Sequence, residues 1–391
     1  MNNAAEIATN QQSALDPASV KQLAMPTGKT MPLPAYGTFH SDWAQDLMFG
    51  ATLEAIRVGW RHLDTARAYE NEEIVGAAIK EAIKLGYIQS VDELFITGKL
   101  WNGHMAAKDV APALESTLEK LGIDQIDCYL NHWPWPNVHT PGCGADHKNP
   151  DAVPYIHEDF MATWAELVKQ KQAGKIVHLG ISNHTRATTE LLFRDTSEDE
   201  RPVVNQMEIH PLFQQNALRD YFESKGVITT GYMALGSPNR PARDNFKEHR
   251  SDMHDPVIQS IATELGISAG QVCLAWAAQR KGRSGSEGGY VAMSTNPERI
   301  YSNLLSGIHD YLTPEQLTRI SGSGQPGDEG IDANNRLIWG QVFLWDEAGG
   351  DWHVLWDDSQ VFETRADYAR FKASWEAHHQ VQLETTYRAK S

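Results

Sequence analysis

Short apolar runs alternate along the chain with longer stretches of helical periodicity. Helical spacing of apolar residues predicts amphipathic helices over 72–85, 107–121, 159–172 and 256–265. The apolar runs are rich in β-branched residues and predict buried strands over residues 35–38, 60–64, 94–98, 126–132, 176–181, 203–206, 227–231 and 290–293. This alternation predicts an α/β fold, a parallel (β/α)8 TIM barrel with a long C-terminal extension, and an open doubly wound sheet is the alternative.

The two ends of the chain depart from the alternating pattern. Residues 1–28 are polar and have neither the basic start nor the apolar core of a signal peptide, so we expect a loose N-terminal tail. The barrel is expected over 29–322. A connector rich in Gly, Asp and Asn then leads to a tryptophan-rich stretch and to a predicted helix over 359–379. We expect residues 323–391 to form a loop and helix extension that packs on the barrel.

Charge and cysteine content narrow the classes of function. Of the 391 residues, 51 are acidic and 34 basic, and the net charge of −17 disfavours binding to nucleic acid. No run approaches the roughly 18 apolar residues of a membrane span. Cys128, Cys143 and Cys273 are too few and too scattered for a disulfide framework or a thiolate metal site. We expect a cytoplasmic monomer or homodimer whose partner is a small molecule, without a membrane or nucleic-acid partner.

Four polar residues stand at or just beyond the predicted ends of three successive strands, where (β/α)8 barrels build their active sites. They are Asp64, Tyr69, Lys99 and His132. Taken singly, Asp64 and Lys99 fit a structural ion pair, and His132 fits a core histidine. Taken together, Lys99 would lower the pKa of the Tyr69 phenol from about 10 toward neutrality and make it a proton donor, while His132 would orient a substrate carbonyl. The four residues would then polarise and protonate a C=O group that receives a hydride.

Three longer segments make the sequence recognisable. GWRHLDTARAYENEEIVGAAI closely resembles the first signature of the aldo-keto reductases, ALESTLEKLGIDQIDCYLNHWP resembles the second, and VAMSTNPERIYSN resembles the third in altered form. The resemblance covers about residues 29–322 and implies NAD(P)H-dependent reduction of an aldehyde or ketone, a sugar or other polar carbonyl included, or the reverse oxidation. It also implies that the family's catalytic tetrad falls on Tyr69, Asp64, Lys99 and His132.

The resemblance also implies a set of cofactor contacts. Ser182, Asn183 and Gln206 would hold the nicotinamide carboxamide, and Tyr232 would stack under the nicotinamide ring. The remaining contacts would come from a loop near the pyrophosphate and from the third signature, namely Leu235, Gly236, Ser237, Ser294, Thr295, Arg299 and Asn303.

One departure from the family pattern bears on the choice of cofactor. Members that prefer NADPH usually carry a lysine just before the serine of the third signature, and here that position is Met293. We therefore expect NADP or NAD as cofactor, with dual use. Arg280, Lys281 or Arg283, beside or within a glycine-rich insertion at 281–289, could restore the charge; the alternative is that the insertion is a solvated loop.

By the same resemblance, an aromatic substrate pocket is expected, with walls formed by Phe39, Trp101, Trp133 and Trp339. Such walls accept aldehydes, aromatic carbonyls and sugars, and the sequence does not choose among them. Two other functions remain as alternatives: a regulatory subunit that binds nicotinamide nucleotide without turnover, and a metal-dependent barrel hydrolase. No H-x-H or paired-carboxylate signature stands at the strand ends, so we expect no metal.

Overall fold

Parallel strands close into a barrel in the computed structural model of the chain. The structure describes residues 13–39, 45–134, 154–236, 251–282, 285, 287–322 and 361–379. Its strands are β1 (Gln22–Ala24), β2 (Thr30–Pro32), β3 (Pro34–Gly37), β4 (His62–Asp64), β5 (Phe95–Leu100), β6 (Ile126–Asn131), β7 (Tyr155–Ile156), β8 (Ile176–Ser182), β9 (Val204–Glu208), β10 (Ile228–Tyr232), β11 (Gly289–Ala292) and β12 (Val361–Phe362). The ring runs from β3 to β6, then through β8, β9, β10 and β11 back to β3. The predicted (β/α)8 barrel is confirmed, and the open sheet is excluded.

Helices follow the barrel strands around the outside. They are α1 (Gln45–Val58), α2 (Glu72–Lys84), α3 (Ala107–Leu121), α4 (His157–Gln172), α5 (Arg186–Arg194), α6 (Asn216–Ser224), α7 (Pro256–Leu265), α8 (Ala269–Gln279), α9 (Pro297–Leu305), α10 (Pro314–Ser321) and α11 (Arg365–His379). None of the described helices is long and apolar enough by itself to cross a membrane; α7 and α8 meet the criteria of length and composition only as a pair bent by 95°.

The hydrophobic pattern explains why these segments form a barrel. Every residue of β5 and of β9 is buried, as expected for parallel strands that face the barrel interior on one side and helices on the other. α3 buries the apolar stripe that its sequence predicted, and it ends at Gly122, whose φ of 70° suits a left-handed C-cap. Local pattern and global architecture therefore agree along most of the barrel.

The N-terminal segment is more ordered than the sequence predicted. β1 and β2 form an antiparallel hairpin, with Gly28 at φ 82° in its turn. Lys29 pairs with Asp127 at the start of β6, and the Thr27 hydroxyl lies 2.9 Å from Nε2 of His178 in β8. The hairpin therefore packs against the N-terminal end of the barrel, and residues 22–28 do not belong to a loose tail.

The described part of the C-terminal extension packs on the outside of the barrel. β12 pairs in parallel with β7, which immediately precedes α4, and α11 follows within the predicted helical range. Ion pairs reinforce the contact: Arg365 with Asp159 at 2.6 Å, and Arg194 with Glu363 at 3.0 Å. The four tryptophans of the extension between 339 and 356 lie outside the described residues.

Candidate active site

The four polar residues predicted to carry the chemistry meet at the C-terminal end of the barrel. Asp64 is the last residue of β4, Lys99 is the penultimate residue of β5, and His132 directly follows β6. Tyr69 lies in a short 3₁₀ turn, Arg67–Tyr69, between β4 and α2. Because β4, β5 and β6 are consecutive in the barrel, their ends present these side chains side by side.

Lys99 forms the centre of this arrangement. Its Nζ donates to Oδ1 of Asp64 at 2.5 Å and to the hydroxyl of Tyr69 at 3.1 Å. It also donates to the carbonyl oxygen of Thr65 at 3.2 Å, so the ammonium has three acceptors. Lys99 is 0% exposed and Asp64 is 2% exposed. A buried ion pair needs such complete hydrogen bonding, because both charges have lost their hydration.

The second oxygen of Asp64 connects this centre to the predicted cofactor residues. Oδ2 accepts a hydrogen bond of 2.6 Å from Nε2 of Gln206, across the barrel from β9. Burial lowers the pKa of Lys99, but the charges and hydrogen bonds of Asp64 and Tyr69 more than offset burial, and the pKa is raised. Lys99 is therefore a permanent cation beside the Tyr69 hydroxyl.

Burial and charge act in opposite directions on Tyr69. Burial raises the pKa of its hydroxyl, Lys99 lowers it, and the net shift is upward. The prediction that Lys99 would bring this pKa toward neutrality is wrong in net direction, because desolvation of a phenolate outweighs one neighbouring ammonium. Tyr69 therefore keeps its proton at physiological pH, and the Lys99 ammonium is the neighbour that favours release of that proton.

Aromatic side chains surround the Tyr69 hydroxyl and His132. The Phe39 ring lies 5.1 Å from the Tyr69 ring between centroids, and the Trp101 ring lies 5.8 Å from that of His132. Trp133 stacks on His132 at 6.0 Å. Phe39 is 44% exposed, whereas both tryptophans are buried. The structure thus brings three of the four predicted pocket residues together; the fourth, Trp339, lies outside the described ranges.

Four predicted cofactor residues form one hydrogen-bonded group. The Ser182 hydroxyl donates to the carbonyl oxygen of Gln206 at 2.8 Å, and Nδ2 of Asn183 donates to that of His132 at 3.0 Å. The Tyr232 hydroxyl donates to Oδ1 of Asn183 at 2.6 Å. Asn183 has φ 63°, a left-handed conformation that Asn tolerates better than most residues. The group lies on β8, β9 and β10 or directly after them, next to the tetrad.

The other predicted cofactor residues are spread over two loops. Leu235 and Gly236 follow β10, and Gly236 has φ 66°; Ser237 falls outside the described residues. Ser294 and Thr295 follow β11, and the Tyr36 hydroxyl donates to the Ser294 carbonyl oxygen at 2.8 Å. Arg299 and Asn303 lie on α9, the first exposed and the second buried.

Two of the three basic residues that could have replaced the missing charge at Met293 lie elsewhere in the structure. Arg280 is 4% exposed and donates to the carbonyl oxygen of Gly289, the first residue of β11, at 2.8 Å. Met293 stands just beyond the opposite end of the same strand. Lys281 lies next to Arg280 and pairs with Glu287 at 3.7 Å. Neither cation is placed to compensate for Met293; Arg283 lies outside the described residues.

The sequence reasoning passed over a group of charged residues next to the predicted cofactor loop. Glu208 ends β9, and His210 follows two residues later; both are buried, together with the distant Asp252. The available signal was a glutamate at the C-terminal end of a barrel strand, two residues beyond Gln206. Without the fold, nothing connects it to Asp252.

Comparisons of the sequence with known proteins point to one family. The sequence profile of the Aldo/keto reductase family matches residues 36–324. An aldo/keto reductase from Synechocystis sp. is 33% identical over 87% of this chain and 97% of its own length. The 7-acetyl-epi-neemfruitin B aldo-keto reductase of Melia azedarach is 36% identical over 75% of this chain and 86% of its own. Human aldo-keto reductase family 1 member A1 is 34% identical over the same shares.

Proposed function

The chain belongs to the aldo/keto reductase family and is an NAD(P)-dependent oxidoreductase, and we propose that it reduces an aldehyde or ketone to an alcohol with Tyr69 as the proton donor. The observation that carries the proposal is the buried contact of the Lys99 ammonium with both the Tyr69 hydroxyl and the Asp64 carboxylate. The reverse oxidation would use the same groups, with the proton moving back to Tyr69.

Each member of the tetrad has a distinct part in this reaction. Tyr69, protonated at physiological pH, gives its proton to the carbonyl oxygen. The Lys99 ammonium, 3.1 Å away, stabilises the tyrosinate that remains, and Asp64 keeps Lys99 charged in a buried position. His132, beside Tyr69 and between the aromatic walls, orients the carbonyl. The product alcohol gains one hydride at carbon and one proton at oxygen.

The residues next to the tetrad fit a nicotinamide nucleotide. Ser182 and Asn183 place polar groups at the end of β8, Gln206 places one on the neighbouring β9, and Tyr232 places an aromatic ring beside them. When bound, NAD(P)H supplies the hydride. Farther out, the guanidinium of Arg299 is exposed and has no hydrogen bond or ion pair with a described residue. It is therefore available to a phosphate group.

Both NADPH and NADH are proposed as cofactors. The family generally uses NADP(H), and Arg299 favours a 2′-phosphate through its charge. Met293 supplies no second cation, and Arg280 is buried near the other end of β11. With one cation instead of two at the 2′-phosphate, the binding free energies of NADPH and NADH differ by a smaller amount.

A carbonyl panel tests the proposed function. Purified protein should oxidise NAD(P)H with a subset of aliphatic aldehydes, aromatic aldehydes and sugars, and a chelator should have no effect. Tyr69→Phe keeps the ring and its packing but removes the proton, so the rate should fall about 10²–10⁴-fold. Tyr311→Phe removes a hydroxyl next to Asp310, which pairs with Lys21 beside the N-terminal hairpin, and should turn over like the wild type.

Two outcomes would contradict the proposal. If the folded protein bound NAD(P)H but turned over no carbonyl, a regulatory nucleotide-binding subunit would be the better explanation. If Tyr69→Phe kept wild-type turnover, the proton would come from another group.

A further inference from the structure

Three buried charged residues form a cluster behind the predicted cofactor loop. His210 is 0% exposed, and its Nδ1 lies 2.9 Å from Oδ2 of Asp252. Its Nε2 lies 3.2 Å from Oε1 of Glu208. A neutral imidazole has only one N–H, so both contacts are satisfied together when the ring is a doubly protonated cation. We refer to Glu208, His210 and Asp252 as the buried charge cluster.

The electrostatics agree with the geometry of the buried charge cluster. Burial by itself lowers the pKa of His210, but Asp252 and Glu208 raise it to about 9. The cluster thus holds a cation between two carboxylates at physiological pH. None of the three residues belongs to the tetrad, and the reaction proposed above does not use them.

The cluster connects three elements near the cofactor residues. Glu208 ends β9 and stands opposite Tyr232 in the register of β9 with β10. Asp252 opens the 3₁₀ turn that leads into α7, and its Oδ2 also accepts from the backbone N–H of Leu212 at 3.2 Å. His210 therefore joins the end of one barrel strand to the start of a helix.

Asp252 also touches the loop that follows β10. A Cβ atom added to Gly236 would lie only 2.2 Å from Oδ1 of Asp252, so the glycine backbone packs directly on this carboxylate. That oxygen is buried and has no hydrogen-bond partner among the described residues. Gly236 has a φ of 66°, in the left-handed region. Its N–H donates a hydrogen bond of 2.7 Å to the Met233 carbonyl oxygen. Asp252 is therefore in direct packing contact with the described part of the loop.

We propose that the buried charge cluster positions Leu235 and Gly236 for binding the pyrophosphate of NAD(P)H. The proposal rests on the cofactor site proposed above. It assigns the three residues of the buried charge cluster a positioning role, not a catalytic one. Removing a charge from the cluster frees Asp252 to move and loosens the backbone packed on it. Ordering that backbone again on binding has an entropic cost, which lowers cofactor affinity without altering the tetrad.

The test compares two aspartates of the same turn. Asp252→Asn keeps the side-chain shape but removes the charge that faces His210. The control is Asp255→Asn: Asp255 is also buried, but it caps α7 by accepting from the N–H of Val257, and Asn caps helices equally well. NADPH dissociation constants are measured by fluorescence titration, and kcat is measured at saturating cofactor and carbonyl.

Asp252→Asn should raise the NADPH dissociation constant about ten-fold, while kcat stays within about two-fold of the wild type. Asp255→Asn should keep both values. Glu208→Gln is the second variant and should raise the dissociation constant several-fold, even if Asp252→Asn fails to fold. A folded variant of the cluster with wild-type affinity would overturn the positioning role. Failure of the wild type to bind either NADPH or NADH would instead overturn the proposed function.

Discussion

At the scale of single residues, the same side chain behaves differently according to its surroundings. Tyr69 and Lys99 lie at the predicted strand ends, yet burial reverses the expected net direction of the Tyr69 pKa shift. Arg280 was a candidate cation for the cofactor site, yet it is buried with its guanidinium on backbone carbonyl oxygens. The residue type determines which chemical group is present. The position in the barrel determines its burial and its partners, and so whether the group can act on a ligand.

A substitution at Met293 is the most direct test of the choice between NADPH and NADH. It is half-buried and follows β11, directly before Ser294. Met293→Lys should favour NADPH over NADH by roughly five- to hundred-fold, since a hydrogen bond to a charged group contributes ~1–3 kcal/mol. Most of the change should lie in the Michaelis constant for the cofactor, because the 2′-phosphate is remote from the reacting carbon.

Steady-state kinetics with both cofactors measure this shift. Met293→Gln is the matched control, because it introduces a polar side chain of about the same length as Met without adding charge. An equal shift in both variants would show that charge is not the cause. No shift in either would show that the third signature is misaligned with the 2′-phosphate.

At the scale of elements, the helices whose apolar stripe was recognised were predicted, and several others, the 14-residue α1 among them, were missed. α2, α3, α4 and α7 each show an apolar stripe that a helical pattern identifies. α5, α6 and α9 have only nine residues each, so each offers too few turns for a helical period to be distinguished from a loop along the sequence. α8 is apolar on all sides and therefore shows no stripe.

We expect the C-terminal extension to affect substrate specificity. Its β12 pairs with β7, and the β7 residue Tyr155 contacts His184, which directly follows Asn183, at 6.2 Å between ring centroids. Deletion from Asp328 onward removes Trp339, a predicted pocket residue, and should reduce activity on the best substrate far more than on a small aldehyde, with NAD(P)H binding preserved. Phe362→Ala, which removes the packing of β12 on Tyr368 and Phe371, should act in the same direction but less strongly.

Paired kinetics on a large and a small carbonyl, together with melting temperatures, measure the effect of the extension. If both activities fell equally and in step with the melting temperature, the extension would serve stability or oligomerisation and not substrate choice.

At the scale of the whole molecule, buried neutral histidines couple folding to pH. His184 is fully buried between Tyr155 and Phe160, and burial lowers its pKa to about 3. In the unfolded chain its pKa returns to about 6.5. The unfolded state therefore binds more protons below that pH, and stability falls as pH decreases from 6.5 toward 3.

His184 alone should reduce the free energy of unfolding by on the order of 2 kcal/mol between pH 6.5 and pH 5. Denaturant titrations at the two values measure the loss. His184→Gln should flatten the dependence by a similar amount, whereas His309→Gln, at an exposed position, should leave the slope unchanged. An unchanged slope in His184→Gln would assign the acid sensitivity to other groups.

The amino-acid sequence by itself determined the barrel and the residue types at its mouth. β-branched runs form buried strands and apolar stripes form covering helices because both depend on neighbours within a few positions along the chain. Placing Asp64, Lys99 and His132 at three strand ends was enough to predict that they meet, because parallel strands bring their C-terminal ends together.

Only the tertiary structure decided which residues distant in sequence form ion pairs, and how burial shifts the pKa of each group. The hairpin under the barrel joins Lys29 to Asp127, and the buried charge cluster joins His210 to Asp252; no local pattern connects either pair. The net pKa of Tyr69 depends on the desolvation supplied by the whole surrounding fold. Burial and long-range electrostatics arise from all the atoms around a group, so they exist only once the chain has closed around it.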